Sequence, residues 1–362
     1  MKIFIDINHP AHVHYFRNFI GIMKKERCEF IVSNRDSAII NQLLDYYEIP
    51  HIIRNKRPEK QSFLSSILYL FGMIKYCVKY SFKEKPDIYL GFAASQCAIT
   101  SFLFRKPCIL LDDTEHNKMN HTLYKPFCSV ILTPFYFKKD LGKKQIYFNA
   151  YIEQLYLYSK FYNKERITLS DLGLNKNIPY ILFRYITYDA AHDSNVMPLT
   201  EEIKKGFIKR VKKEFKVFVS LENDVKDDFY NDYKIKISPE EMHKLMEGAS
   251  FFISEGATMA SESCMLGTPF IYINPLQDVG NISIQTERYP QIAFSSINEV
   301  AIEQRIDSML ENPISPEERI RIKKNIEYDT INPTDFLVWF VSNYPISKVV
   351  MKNNPDYQNK FK

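Results

Sequence analysis

Residues 2–35 read KIFIDINHPAHVHYFRNFIGIMKKERCEFIVSNR. Ile3 to Ile7 is a short strand-like run, a helical periodicity follows from about Val13 to Lys25, and Glu29 to Ser33 is strand-like again. This is the rhythm of parallel β-α units, in which a helix carries the chain back to the start of the next strand. The rhythm continues outward: a helix over Ser37–Tyr47, a strand at His51–Ile53, and a long helix through residues 62–82. A strand at Asp87–Gly91, a helix at Ala94–Phe104 and strands at Pro107–Leu111 and Ser129–Leu132 complete the first half. Such a pattern predicts an open, doubly wound α/β sheet whose ligands sit outside the carboxyl ends of its strands.

Residues 149–178 break the rhythm and are the candidate linker. A second series follows, with strands at Tyr180–Phe183, Lys216–Leu221, Ser250–Ser254 and Pro269–Ile273. Its helices run over Thr200–Lys213, from Ser238-Pro239-Glu240-Glu241 to near Gly248, and from about Thr258 to Leu266. The expected organisation is an N-terminal Rossmann-like domain over 1–160 and a C-terminal one over 161–345. The last helical stretch, Ser315 to Tyr344, is a candidate to cross back, and a disordered polar tail is expected over 346–362.

Composition sets the class of molecule. In 362 residues, 45% hydrophobic and 25% charged positions describe a folded globular chain, and a formal charge of +5 is too small to make nucleic acid the default partner. The six cysteines lack C-x-x-C spacing and fall mostly in apolar runs, the usage of reduced, buried thiols and of a cytoplasmic protein. MKIFIDINHP lacks the apolar core and cleavage site of a signal peptide. Lys75 and Lys79 interrupt the most apolar segment, residues 62–80, so no membrane-spanning helix is expected. That helix nevertheless has Phe63, Leu64, Ile67, Leu68, Phe71, Ile74 and Val78 at helical spacing. Around it lie Arg54, Lys56, Arg57, Lys60, Lys75, Lys79, Lys83 and Lys85, so peripheral contact with an anionic membrane competes with an ordinary core helix carrying a solvated basic face.

The clearest chemical signal is Ser254-Glu255-Gly256-Ala257-Thr258-Met259-Ala260-Ser261-Glu262, between a strand and a helix. Small residues at a helix start let backbone N–H groups approach a diphosphate, whose charge the helix dipole favours. Glu262, about a turn further, is placed to accept from ribose hydroxyls; close helix packing is the competing explanation of the small residues. His9, His12 and His14 follow the first strand, and a histidine there can take a proton from an acceptor hydroxyl or simply cap the loop. Asp112-Asp113-Thr114-Glu115-His116 ends another strand, where carboxylates can orient a histidine or cap a helix. Arg184 at a strand end suits phosphate, with an ion pair as alternative, and His192 and His243 join this group. Two residues apart on a helix, His12 and His14 do not share a face, so no metal site is expected. Asp-x-Asp, G-x-G-x-x-G and the P-loop pattern are all absent, and no cofactor is expected.

Together IDINHPAHVHYF, LDDTEH, LTP, FRYITYDAAHD, Met242-His243 and SEGATMASESCMLGTPFIYIN resemble the domain of unknown function 354 family, which is grouped with GT-B glycosyltransferases and sugar-nucleotide 2-epimerases. The resemblance spans most of the chain. It implies two Rossmann-like domains facing a cleft, nucleotide held mainly by the C-terminal domain and acceptor by the N-terminal one. Leu266-Gly267-Thr268-Pro269 is similar to the Leu-Gly-x-Pro of these relatives, which places Glu262 where they carry a ribose-binding glutamate and Gly256 to Thr258 at their diphosphate site. Met259 belongs to the same helix start. His12 lies where the N-acetylglucosaminyltransferase of peptidoglycan lipid synthesis has a histidine after its first strand, although Asn8-His9-Pro10-Ala11 replaces the Gly-rich loop there; His9 and His14 are the alternatives. The Gly-Thr-Arg-Pro-Glu of the epimerases is missing after the first strand.

The resulting expectation is a metal-independent GT-B glycosyltransferase moving a sugar from a nucleoside diphosphate sugar, with UDP the expected nucleotide, to a hydroxyl of a surface-polysaccharide or lipid-linked acceptor. His12 is the expected base, oriented by Asp113 or Glu115, with Arg184, Gly256, Ala257, Thr258, Met259, Glu262, His192 and His243 on the donor. A sugar-nucleotide 2-epimerase and a catalytically silent nucleotide-binding subunit are the other readings.

Overall fold

The computed structural model describes residues 1–54, 63–162, 170, 178–186, 197–222, 227–277 and 279–362, with α3 beginning at Phe63. In chain order the first half contains β1 (Lys2–Ile7), α1 (Pro10–Lys25), β2 (Glu29–Arg35), α2 (Ala38–Tyr46), β3 (His51–Arg54) and α3 (Phe63–Glu84). It continues with β4 (Ile88–Phe92), α4 (Ser95–Leu103), β5 (Cys108–Leu111), α5 (Lys118–Tyr124), β6 (Val130–Pro134) and β7 (Gln145–Phe148). Short helices α6 (Gln154–Leu157) and α7 (Ser159–Tyr162) lead to β8 (Tyr180–Tyr185), α8 (Glu201–Val211), β9 (Lys216–Leu221) and α9 (Met242–Gly248). Then come β10 (Phe252–Ser254), α10 (Ala257–Met265), β11 (Phe270–Tyr272), α11 (Gly280–Arg288) and β12 (Ala293–Ser295). The chain ends with α12 (Glu299–Glu311), α13 (Pro316–Asp329), α14 (Pro333–Ser342), α15 (Ile346–Asn353) and a 3-10 turn over Pro355–Phe361.

The strands pair in parallel in two sheets, ordered β3-β2-β1-β4-β5-β6-β7 and β12-β11-β10-β8-β9. Central strands such as Ile3–Ile7 and Ile88–Phe92 are buried along their whole length, the signature of a sheet covered on both faces. In each sheet the chain winds first to one side and then crosses to the other. The order therefore reverses between β1 and β4 in the first sheet and between β8 and β10 in the second, the places where an open α/β sheet leaves a crevice at its carboxyl edge.

One core gathers Phe4, Tyr89, Cys97, Leu110, Ile131 and Phe137, and the other Ile181, Phe183, Phe207, Val219, Ile253 and Ile271. Each such side chain contributes about 1.5–3 kcal/mol when fully buried. No disulfide joins any of the six cysteines, and all but Cys28 are buried, as expected of thiols that fall mostly within apolar runs.

The chain divides into Met1–Tyr156 with Thr330–Lys362, and Leu157–Asp329, so the end of the last helical stretch, the candidate to cross back, belongs with the first unit, the return beginning at Thr330. The expected disordered tail is ordered instead: Gln358 is buried and its Oε1 accepts from Asn149 N–H at 2.8 Å, while the Phe361 ring packs on Trp339 at 5.5 Å. Thr330 Oγ1 accepts from Gln154 at 2.8 Å, and Thr334 Oγ1 donates to Leu155 O at 2.7 Å. Polar composition hid two aromatic anchors, Tyr357 and Phe361. The first half also does not close at Leu132, because β7 adds an edge strand beyond β6.

Candidate functional site

In the second unit, the reversal point is built from the ends of β8 and β10, with Arg184 registered against Ser254. Arg184 donates from Nη1 to Ser220 Oγ on β9 at 2.7 Å. Burial lowers the pKa of its guanidinium, and the negative charges of Glu222 and Glu262 oppose that effect. Beyond Ser254 the chain turns into α10. Ser254 Oγ accepts from Gly256 N–H at 3.0 Å, which fixes the turn, but no side chain caps the helix. Gly256, Ala257, Thr258 and Met259 are part-exposed, whereas Glu255 before them and Ala260, Ser261 and Glu262 after them are buried. The uncapped N–H groups of this helix start are thus the accessible part of the segment, and they carry the positive end of the helix dipole.

Glu262 projects from the next turn, and its Oε1 lies 3.1 Å from Nε2 of His243 on α9; both side chains are buried. The structure brings Arg184, the 256–259 turn, Glu262 and His243 into one unit around one sheet edge. His192 lies outside the described residues. Leu266-Gly267-Thr268 has a structural task. Gly267 takes φ +75° as α10 ends, Gly267 N–H donates to Cys264 O and Thr268 N–H to Ser263 O, each at 2.9 Å, closing a Schellman motif. Beside β9, a concavity of about 1010 Å³ is lined by Leu221, Glu222, Lys234 and Lys236.

The sequence pattern did not single out the ion pair under this turn. Glu255, wholly buried, accepts from Ile186 N–H at 3.0 Å and pairs with Lys204 Nζ at 2.7 Å. It locks the loop after β8 to the strand end of β10. An acid between a buried strand and a glycine was the available signal.

In the first unit, the reversal point carries a polar knot. Asp6, inside the apolar run of β1 and wholly buried, accepts from Arg54 Nε at 3.0 Å, Arg54 Nη2 at 3.1 Å and Asn8 Nδ2 at 2.9 Å, and also from Ser33 and Gln96. Arg54 donates further to the Tyr69 hydroxyl at 3.0 Å and to Asn8. Arg54 is therefore an interior group tying β3 to β1, a correction to its reading as part of a basic surface around α3. Lys56, Arg57 and Lys60 of that reading lie outside the described residues.

The three histidines after β1 do three different things. His9 caps α1, its Nδ1 accepting from Ala11 N–H at 3.2 Å. His14 is buried against Tyr156, ring centroids 5.2 Å apart, with Tyr47 edge-on. His12 packs on Phe92 at 4.7 Å, and its Nδ1 lies 3.4 Å from Asn8 N–H. Burial, then the charges of His9 and Arg35, holds its pKa well below the usual imidazole value, so the ring is neutral. With Nδ1 accepting, the neutral ring carries its proton on Nε2.

Asp113 and Glu115 do not orient that imidazole. Glu115 Oε1 accepts from Lys138 N–H at 2.7 Å and so holds a turn, and Asp113 accepts from the Thr114 hydroxyl at 3.1 Å. Asp113 is half-buried beside Asp112. Burial and the neighbouring carboxylate push its pKa up to about 7. Asp112 is itself held by the Tyr124 hydroxyl at 2.5 Å and Thr114 N–H at 2.9 Å, and His121 Nε2 lies 3.2 Å from its Oδ2. Among the described residues no group of three His, Cys, Asp or Glu side chains is placed to hold a metal ion.

This fold is shared at low identity by solved structures. UDP-GlcNAc 2-epimerase from Neisseria meningitidis, bound to UDP-GlcNAc, is 14% identical with a TM-score of 0.68, covering 94% of this chain and 99% of that one. UDP-GlcNAc 2-epimerase from Methanocaldococcus jannaschii, in complex with UDP-GlcNAc and UDP, is 12% identical with a TM-score of 0.63, covering 91% and 99%. The glycotransferase of kitacinnamycin is 9% identical with a TM-score of 0.59, covering 93% and 98%. These likenesses and the two doubly wound units place the fold in the GT-B class. An uncharacterized protein of Methanocaldococcus jannaschii is 22% identical over 313 residues, 83% of this chain and 89% of the relative. Residues 1–313, from the Asp6 knot through the Glu262 helix to just past α12, match the model of the protein of unknown function family DUF354, and the chain belongs to that family.

Proposed function

We propose that the protein is a sugar-nucleotide enzyme, and specifically a metal-independent glycosyltransferase that moves a sugar from a UDP-linked donor to a hydroxyl of a glycan or lipid-linked acceptor. One observation carries the donor half: Arg184, the uncapped start of α10 and the buried Glu262–His243 pair share the reversal point of the second sheet. Backbone N–H groups and a guanidinium suit a diphosphate and stabilise the charge that develops on it as the bond from phosphate oxygen to the sugar breaks. Glu262, oriented by His243, accepts from the ribose hydroxyls. The absence of Asp-x-Asp fits a leaving group balanced by Arg184 in place of a divalent ion.

On the acceptor side, a base takes the hydroxyl proton as the new C–O bond forms and the nucleoside diphosphate departs with the electron pair. His12 is the first assignment. It requires the imidazole to release the long Asn8 contact and expose the Nε2 lone pair. Asp113 is the rival, because its carboxyl titrates near neutrality. The pH profile separates them: a His12 base gives an acid limb well below 6.5, whereas an Asp113 base gives one near 7 that disappears in Asp113→Asn.

A 2-epimerase is the second reading, favoured by the near-complete coverage of solved UDP-GlcNAc 2-epimerases. Epimerisation exchanges the C2 proton and needs no acceptor. Incubation with UDP-sugars in D₂O therefore decides the matter. Deuterium at C2 without acceptor selects the epimerase, whereas UDP release that depends on an acceptor selects the transferase. Nucleotide binding with neither outcome selects a silent binding subunit. Stabilisation by UDP that is lost in Glu262→Ala tests the donor site itself.

A further inference from the structure

Helix α3 presents an outward stripe that the described residues of its own unit leave uncovered. Its inner side is Met73, Cys77 and Ser81, all buried. Opposite them Leu68, Phe71, Lys75, Lys79 and Phe82 follow at steps of three, four, four and three, which at about 100° per residue keeps all five within an arc of about 80°. Leu68 is 62% exposed, Phe71 64% and Phe82 70%. The stripe does not end with the helix. Phe82 meets the Phe104 ring at 4.8 Å, and the residues before Phe104, Phe102 and Leu103 at the end of α4, are 59% and 61% exposed. Five large apolar side chains more than half exposed on two packed helices exceed the scattered exposure of an ordinary surface.

Among the described residues, cations rim this face. Lys75, Lys79 and Lys83 on α3 are exposed, as are Arg105 and Lys106 after α4. The neighbouring acids are engaged by cations: Glu84 lies 3.4 Å from Lys83 and 3.5 Å from Lys2, and Asp87 accepts from Lys2 N–H at 2.8 Å and faces Lys106 at 3.8 Å. A second copy of the same face would bring lysine onto lysine, which disfavours a symmetric dimer. Among the described residues no helix is long and apolar enough to cross a membrane.

We infer that the α3–α4 face is a docking surface for an anionic lipid bilayer, with the leucine and phenylalanine side chains at the acyl boundary and the lysines among the headgroup phosphates. The charge complementarity selects this occupant. The inference does not depend on the donor-site reading.

The test is co-sedimentation of the full chain with vesicles of phosphatidylcholine alone and of phosphatidylcholine and phosphatidylglycerol in equal parts. Binding is expected only to the anionic vesicles, weakening as salt rises. Phe71→Gln/Phe82→Gln should lower partitioning on the order of 100-fold, taking tenfold for each two-thirds-exposed phenylalanine. Lys75→Gln/Lys79→Gln should lower it roughly 30-fold. Ile346→Gln, which alters an exposed apolar residue on α15, should change nothing, and all three variants should keep the wild-type circular dichroism and melting temperature. Absence of binding, or binding untouched by the phenylalanine pair, would overturn the inference. So would a dimer in sedimentation velocity that Phe71→Gln/Phe82→Gln dissolves without any vesicle binding, since a second copy would then cover the face.

Discussion

Replacing Arg54 by methionine keeps an aliphatic stem of similar reach in the first sheet and removes the guanidinium. Asp6 retains its contacts with Ser33, Asn8 and Gln96 but loses the bonds from Nε and Nη2 at 3.0 and 3.1 Å, and both partners are fully buried. Removing one member of a buried pair strands the other charge and costs about 3–5 kcal/mol. At roughly 2–4 °C per kcal/mol for a domain of about 150–250 residues, the first unit should melt on the order of 10 °C lower. The chain has a single tryptophan, Trp339 on α14, in the first unit, with its ring 4.9 Å from Tyr357 and 5.5 Å from Phe361. Its fluorescence reports that unit's transition directly. Tyr69→Phe removes one hydrogen bond to Arg54 and should cost only about 1 kcal/mol. Adding Asp6→Asn to Arg54→Met neutralises the stranded carboxylate and should restore part of the loss. The reasoning fails if Arg54→Met unfolds within about 1 kcal/mol of the wild type, or if the double variant is no more stable than Arg54→Met alone.

Gly267→Ala forces a left-handed backbone on a residue whose Cβ would lie 2.6 Å from Arg319 O, so chemical denaturation should show a loss of more than about 1 kcal/mol in the second unit. Asp113, whose carboxyl moves from 3.8 up to about 7, stays protonated in the folded chain where the unfolded chain ionises. The folded state then holds more protons, so stability falls as pH rises through that window, by up to about 4 kcal/mol; Asp113→Asn should flatten this slope in a pH series of melting curves. His12 acts in the opposite sense: its depressed pKa makes the unfolded chain protonate first, so its contribution is lost as pH falls below about 6.5, and His12→Gln should reduce acid sensitivity. Asn332→Ala removes the cap whose Oδ1 accepts from Thr334 and Asp335 N–H at 3.1 Å, and should lower the Trp339 transition by about 1 kcal/mol.

Alternating apolar runs and helical periodicity in the sequence determined two parallel α/β series, because a strand buried on both faces must be continuously apolar and its crossover must be a helix. The small residues of 256–259 marked the helix start for the same local reason, and Pro239 with Glu241 marked another. Tertiary structure alone decided which strands became neighbours, and hence where each sheet reverses. It also turned Arg54 inward onto Asp6, across a separation of 48 residues that no local pattern registers. The same holds for the three histidines after β1: their spacing put them on one short segment, but only packing made one a cap, one a ring in an aromatic stack and one a buried neutral imidazole. The C-terminal residues looked polar and unattached because the groups that hold them, Asn149 and Trp339, meet them only after the first unit has folded. Periodicity reports which side of an element is buried; the partner that buries it is set by the packing of distant segments.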